Sequence, residues 1–168
     1  ETSRDEMERQ QAKYFANILL PYAKKVAQAL ARVKELGWQP RVVAPDHGPV
    51  YRRPEDFAWI VDRYMAWCAQ EPTVRAAIVY DTMWGSTDRM ARAIGEGVAA
   101  AGARARLFPL SHFHRSDAMT ALLDAGALLV GTPVLNTRMF PTVADFLTYA
   151  LGLRPRNLLG AAFGSYGW

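Results

Sequence analysis

The pattern of apolar and polar positions in the first third of the chain is helical. Over residues 6–36 apolar side chains recur every three or four positions, which predicts one amphipathic helix or two. Pro21 should kink or break this stretch, and Gly37 should end it. A short β-like run at 41–44 follows and stops at the turn Pro45-Asp46-His47-Gly48-Pro49, which two prolines make rigid.

A further helix is predicted to begin at Pro54, and near residue 70 the pattern changes to strands that alternate with helices. Strands are predicted at 75–80, 103–107, 127–130 and 158–163, with helices at 87–101, 117–124 and 142–151. Strands without a polar face that alternate with helices predict a doubly wound α/β fold, in which helices cover both sides of a parallel sheet. We therefore predict a domain boundary at residue 70.

Composition narrows the class of protein. The 168 residues are 51% hydrophobic and 21% charged, which is typical of a soluble globular protein. The single cysteine, Cys68, rules out an internal disulfide framework and favours a reducing compartment, by default the cytoplasm. No apolar run is long enough to predict a membrane span. The net charge of +4 is spread along the chain, so nucleic acid is disfavoured, while an acidic partner or a phosphate-bearing ligand fits.

The candidate chemistry lies where the first predicted strand passes into the next helix. The first N–H groups of a helix lack internal partners and its dipole is positive there, so this junction favours a phosphate. A glycine lets the backbone approach the ligand, and three hydroxyls add donors. The candidate cofactor-binding residues of this loop, the predicted phosphate loop, are Thr82, Met83, Trp84, Gly85, Ser86 and Thr87.

Other phosphate motifs are absent from this junction. No lysine follows as in nucleoside-triphosphate loops, and Gly95 and Gly97 lie inside the predicted helix rather than in a dinucleotide fingerprint. A hydroxyl-rich loop with one glycine suits a single terminal phosphate, as in flavin mononucleotide (FMN). The plainer alternative is that Ser86 or Thr87 only caps the helix.

Two further loops leave the same edge of the predicted sheet, where such folds bind ligands. They follow the third and fourth predicted strands, and they combine glycines with aromatic rings that could pack against a flavin. Their candidate residues are Thr132, Pro133, Val134, Leu135, Asn136, Thr137, Ser165, Tyr166, Gly167 and Trp168.

These three motifs, Thr-Met-Trp-Gly-Ser-Thr at 82–87, the segment 131–141 and Gly-Ser-Tyr-Gly-Trp at 164–168, resemble the FMN loops of flavodiiron (A-type flavo-) proteins. Residues 14–19 and 44–52 resemble the final helix and last metal-ligand loop of the metallo-β-lactamase-like domain of that family. The resemblance implies that 1–70 is the end of that αββα domain. It also implies that 71–168 is most of a flavodoxin-like domain whose fifth strand and closing helix are missing.

The family's activity is the reduction of dioxygen to water or of nitric oxide to nitrous oxide, with electrons passing through FMN to a non-haem di-iron centre. His47 matches the last iron-binding histidine. The family's other ligands precede the residues of this chain, so the chain alone should lack reductase activity. The resemblance further implies a homodimer, and rubredoxin or an NAD(P)H-linked reductase as electron donor.

Two other functions remain open. A flavodoxin-type electron-transfer module or flavin-dependent quinone reductase would use the same phosphate loop without a metal. A phosphate-binding regulatory α/β module would use no flavin. His112 and His114 are predicted to lie on the surface and to bind no metal.

Overall fold

The computed structural model describes residues 3–167. Its helices are α1 (Arg4–Tyr14), α2 (Ala23–Glu35), α3 (Asp56–Ala69), α4 (Ser86–Ala100), α5 (Arg115–Ala121) and α6 (Pro141–Leu153). Its strands are β1 (Arg75–Tyr80), β2 (Arg104–Pro109), β3 (Ala127–Leu135), β4 (Arg138–Met139) and β5 (Leu159–Ser165). Each helix and strand predicted after residue 54 is present, with shifted ends. Within the described range, none of the helices combines the length and apolar character that a membrane span requires.

The long N-terminal helical stretch is broken as predicted. The backbone between α1 and α2 passes through a π-helical segment, Phe15–Leu19, and then a 3₁₀ turn, Leu20–Tyr22, that contains Pro21. Proline lacks the N–H that a continuous helix needs, so the hydrogen-bond ladder changes its spacing here. Gly37, at φ +63°, ends the helical region.

The predicted strand at 41–44 is wrong. Only Val43 pairs, in a single antiparallel bridge with Tyr51 whose two backbone N–H···O distances are 3.0 and 2.8 Å. Pro40, Pro45 and Pro49 surround this run and supply no backbone donors, so a longer ladder cannot form. The segment is a closed loop with His47 near its tip.

The sheet has the doubly wound topology. Parallel strands stand in the order β2-β1-β3-β5, with Tyr80 opposite Gly131 and Thr132 opposite Gly164. The third strand is longer than predicted, because residues 131–133 pair with β5, and residues 134–135 pair with β4 in a hairpin. The first half of the predicted loop 131–141 is therefore strand.

The two faces of β1 pack against different helices. Ile78 and Tyr80 contact the α4 side, whereas Ala77 and Val79 lie in the larger core with α5 and α6. This alternation follows from the two-residue period of a strand. The helical spacing of apolar residues in α3 and α4 predicts that Met65 and Met90 are buried, but both side chains are exposed.

One core joins the N-terminal helices to the sheet. Phe15, Leu20 and Trp67 are buried in the same cluster as Val79 and Phe146. Asn17 adds polar links across this contact, since its side chain accepts a 2.8 Å hydrogen bond from the Tyr149 hydroxyl. The packing is therefore continuous across residue 70, and the division into domains there stays a prediction.

Candidate functional site

The three predicted ligand loops meet in one cleft at the carboxyl edge of the sheet. Its volume is about 280 Å³. The loops converge because β1, β3 and β5 are parallel neighbours that end at the same edge. The cleft is lined by Thr82, Met83, Trp84, Ser86, Pro133, Val134, Ser165, Tyr166 and Gly167.

The first loop is folded by its own hydrogen bonds. The backbone N–H of Gly85 donates to Thr82 Oγ1 at 3.0 Å, and the N–H of Thr82 donates to Asp81 Oδ1 at 2.7 Å. Gly85 has a φ of +80°, a left-handed conformation that glycine adopts without strain. The loop is therefore shaped before any ligand arrives.

Gly85 is also the N-cap residue of α4, and no side chain caps this helix end. The alternative that Ser86 or Thr87 merely caps the helix is thus wrong. Thr87 is fully buried, and its Oγ1 has no hydrogen-bond partner in the part of the chain that the structure describes. A buried hydroxyl without a partner costs free energy, so this end of α4 is suited to a ligand that brings hydrogen-bonding oxygens.

The second loop contributes Pro133 and Val134 to the cleft. Thr132 instead braces the loop, because its Oγ1 accepts from the N–H of Phe140 at 2.9 Å and donates to the carbonyl of Pro133 at 2.8 Å. Leu135 lies in the β3–β4 hairpin, and Asn136 and Thr137 form its exposed turn with φ values of +50° and +61°. The structure does not bring these four side chains to the cleft.

The third loop contributes Ser165, Tyr166 and Gly167, while Trp168 lies outside the described residues. Tyr166 is 90% exposed, and Trp84 of the first loop is 81% exposed. Two large rings left open to solvent beside one cleft are unusual for residues with a purely packing role. They are suited to contact a planar ligand.

Comparison with known proteins agrees with this geometry. The flavodoxin family profile matches residues 78–168, from β1 through all three loops. The chain belongs to the flavodoxin family. The predicted flavodoxin-like sheet is thereby confirmed.

Similarity to longer proteins extends over the N-terminal helices as well. The chain is 40% identical over 157 residues to a nitric oxide reductase of Moorella thermoacetica, covering 94% of this chain and 39% of that protein. It superposes on the rubredoxin oxygen:oxidoreductase of Desulfovibrio gigas with a TM-score of 0.96 at 38% identity, covering 99% of this chain and 42% of the other. It matches the flavodiiron protein of Giardia intestinalis with a TM-score of 0.83 at 28% identity, covering 94% and 38%. The resemblance to flavodiiron proteins is confirmed, and the chain spans about two fifths of the length of these relatives.

A polar network lies beside the N-terminal end of α4 in this flavodoxin-family chain. Tyr80 donates from its hydroxyl to Asp88, which also accepts from Arg92 at 2.8 Å. Burial, and then the hydrogen bond to Asp88, raise the pKa of Tyr80 to about 12. The hydrogen bonds from Arg92 and Tyr80 lower the pKa of Asp88. Asp88 therefore stays ionised while its charge is offset by Arg92.

His47 does not line the three-loop cleft and lies on the exposed tip of the loop closed by Val43 and Tyr51. Its ring centroid is 5.6 Å from that of Tyr14. Among residues 3–167 no group of three or more potential metal-ligating side chains exists. These residues therefore offer one candidate iron ligand and do not by themselves form a di-iron site. His112 and His114 are exposed as predicted, and His114 caps α5.

The sequence-based prediction missed two polar residues of the site. Asp81 is 5% exposed and accepts hydrogen bonds from the Thr82 N–H and from the Thr142 hydroxyl. A carboxylate directly after a strand of apolar residues is a signal that could have identified Asp81. Nothing local marks Thr142 as its partner.

Proposed function

We propose that this chain is the FMN-binding part of a flavodiiron oxidoreductase that reduces dioxygen to water, nitric oxide to nitrous oxide, or both. One observation carries the proposal. Three loops far apart in sequence form a single cleft next to the helix end where the buried hydroxyl of Thr87 has no partner.

The residues of the cleft fit the two chemical parts of FMN. The N–H groups that begin α4, with the hydroxyls of Thr82, Ser86 and Thr87, suit a phosphate monoester. Trp84 and Tyr166 suit the face of the flavin ring, because aromatic rings stack on planar partners. FMN, when bound, supplies reversible electron transfer, and the protein sets its position and surroundings. Met83, Pro133, Val134, Ser165 and Gly167 line the same cleft and are proposed to complete the site. Gly85 is proposed to let the backbone approach the phosphate, and Trp168 to extend the third loop. Thr132, Leu135, Asn136 and Thr137 do not reach the cleft with their side chains and are proposed only to support the second loop.

His47 is proposed as one ligand of an iron ion. Its imidazole is a suitable ligand for non-haem iron, and the Val43–Tyr51 bridge holds its loop closed. The other ligands would come from a part of the protein outside these 168 residues. No reaction step at the metal follows from the residues of this chain.

Partners are proposed from the same relatives. The Desulfovibrio gigas protein is named as a rubredoxin oxygen:oxidoreductase, so rubredoxin is the first candidate donor and an NAD(P)H-linked reductase the second. We propose a homodimer in the cytoplasm, with dioxygen or nitric oxide as the substrate. The intact mass of the protein from its natural source would test whether the polypeptide is longer than this chain.

A flavodoxin-type module or quinone reductase without a metal would use the same cleft. It is less well supported, because the flavodiiron relatives match more than 90% of the chain and not only its flavodoxin part. Iron analysis of the complete polypeptide separates the two. About two irons per flavin support the di-iron proposal, and a flavin-loaded protein without iron contradicts it.

FMN binding is tested by titrating the flavin-free protein with FMN and, separately, with riboflavin, which lacks the phosphate. Thr87→Val should weaken FMN binding about tenfold and leave riboflavin binding unchanged, because only the phosphate needs the hydroxyl. Thr148→Val is the matched control, since the Thr148 hydroxyl is exposed and bonded to the Ala144 carbonyl of its own helix. Equal FMN affinity for Thr87→Val and the parent would contradict the phosphate assignment.

The role of His47 is tested on the complete polypeptide. His47→Ala should lower the iron content and slow the reoxidation of the reduced flavin by dioxygen or nitric oxide. His112→Ala is the control, because His112 is an exposed histidine outside both proposed sites. If His47→Ala retains iron and reoxidises like the parent, His47 is not a ligand.

A further inference from the structure

We propose that Asp81 is a positioning residue of the flavin site, which ties the predicted phosphate loop to the start of α6 and places a fixed negative charge next to Thr82, a residue that lines the cleft. The inference rests on the proposed function and deepens it. It concerns how this chain prepares the site and tunes the bound cofactor.

The carboxylate of Asp81 bridges the loop after β1 and the first turn of α6, and we call this pair of hydrogen bonds the clamp. Its Oδ1 accepts a 2.7 Å hydrogen bond from the N–H of Thr82, the first residue of the phosphate loop. Its Oδ2 accepts a 2.6 Å hydrogen bond from the hydroxyl of Thr142, which is 61 residues away in the first turn of α6. The carboxylate therefore joins the loop after β1 to the helix that follows the second cleft loop.

The backbone of Asp81 adds a third connection. Its N–H donates to the carbonyl of Gly131 at 3.3 Å, in the middle of β3. Thr132, the next residue, braces the second loop through its hydrogen bond with Phe140. Asp81 is thus hydrogen-bonded both to the loop after β1 and to β3, the strand that leads into the second cleft loop.

The charge of Asp81 is compensated by dipoles and not by a cation. The ion pairs found between residues 3 and 167 do not include Asp81, although its side chain is almost fully buried. Two hydrogen bonds and the positive end of the 13-residue helix α6 stabilise the carboxylate instead. A buried charge without a counter-ion is weakly screened, so its field extends into the adjacent cleft.

Two consequences follow for the site. A loop held in place before binding loses less conformational freedom when the ligand arrives, which increases affinity. A fixed negative charge near the flavin disfavours the addition of electrons to it, which lowers its reduction potential. The clamp and the charge belong to the same carboxylate but can be separated by substitution.

The test uses the complete polypeptide, with FMN affinity and the potential of bound FMN as readouts. Asp81→Asn keeps the shape and can keep both hydrogen bonds, because the amide can accept from Thr82 and donate to Thr142. It should leave FMN affinity within about threefold and raise the potential. Thr142→Val keeps the charge and removes one arm of the clamp, so it should lower FMN affinity about fivefold with little change in potential.

Coupling between the two residues provides a second measurement. In the double variant Asp81→Ala/Thr142→Val the loss of FMN affinity should be smaller than the product of the two single losses, because both remove the same link. Thr148→Val, in the same helix, should match the parent. If Asp81→Ala does not fold, Thr142→Val and Asp81→Asn decide.

The outcomes separate this inference from the proposed function. A parent protein that binds no FMN contradicts the proposed function. If the parent binds FMN and Thr142→Val binds it equally well, the clamp is wrong. If Asp81→Asn leaves the potential unchanged, the charge has no tuning role.

Discussion

The hydroxyl of Tyr80 donates a 2.5 Å hydrogen bond to the carboxylate of Asp88, which joins the last residue of β1 to the first turn of α4. The predicted phosphate loop, residues 82–87, lies between these two residues. Its two ends are therefore fixed relative to each other by a side-chain contact as well as by the backbone.

The pH dependence of stability should reveal the burial of Tyr80 and, after it, this hydrogen bond, because both raise the pKa of the Tyr80 hydroxyl. The pKa of Tyr80 is about 12 in the folded chain, above the value near 10 of an unfolded tyrosine. The neutral Tyr80 hydroxyl therefore contributes fully to the free energy of unfolding below about pH 10. This contribution is lost as the pH rises from about 10 to about 12, because the unfolded state releases the tyrosine proton first. Tyr80→Phe should therefore show a shallower decline of unfolding free energy in that range, measured by urea denaturation. Tyr22→Phe, which alters an exposed ring, should keep the decline of the parent.

The close approach of β5 to β3 makes Gly164 intolerant of a side chain. A Cβ at Gly164 would overlap the carbonyl oxygen of Thr132, its partner in the sheet. Gly164→Ala should lower the unfolding free energy by about 3 kcal/mol, because the two backbones must separate. Gly160→Ala, in open space on the same strand, should change it by less than about 0.5 kcal/mol. Equal effects of the two substitutions would contradict the observed packing of β5.

Alanine substitutions at two glycines of α4 should change the free energy of unfolding in opposite directions. Gly97 lies inside the helix with open space around it, so Gly97→Ala should stabilise the chain by about 1 kcal/mol. Gly85 has a left-handed backbone, so Gly85→Ala should destabilise it by about 1 kcal/mol. Urea denaturation of the two variants beside the parent tests the pair. Stabilisation by Gly85→Ala would show that the loop adopts another conformation.

Asn17 should contribute to stability through contacts with the flavodoxin part of the chain. Its amide donates to the carbonyls of Lys13 at 2.7 Å and Ser116 at 3.3 Å, and its oxygen accepts from Tyr149. Asn17→Ala should lower the free energy of unfolding, measured by urea denaturation, by about 2 kcal/mol, because partly buried polar groups lose their hydrogen-bond partners. Gln28→Ala, an exposed amide on α2, is the control.

Thermal unfolding of the parent chain tests the predicted domain division. Because Phe15 and Trp67 share a core with Val79, thermal unfolding should be a single cooperative transition. Two separate transitions in the parent would instead support independent units on either side of residue 70.

Local pattern was enough to predict most of the helices and strands after residue 54, and the loop at 82–87, because strand and helix periods and helix ends depend on neighbouring residues. It failed at 41–44, where apolar residues resemble a strand but prolines prevent pairing. It also failed at Met65 and Met90, because an apolar side chain is buried only where another element covers it.

The sequence by itself determined the order of strands and helices, the three candidate loops and the family. Each of these features depends on residues that are close together in the sequence. Only the tertiary structure showed that β3 continues to Leu135, that one core joins the N-terminal helices to the sheet, and that Asp81 reaches Thr142. These features depend on residues that are distant along the chain and meet only when the strands align, so no local pattern encodes them.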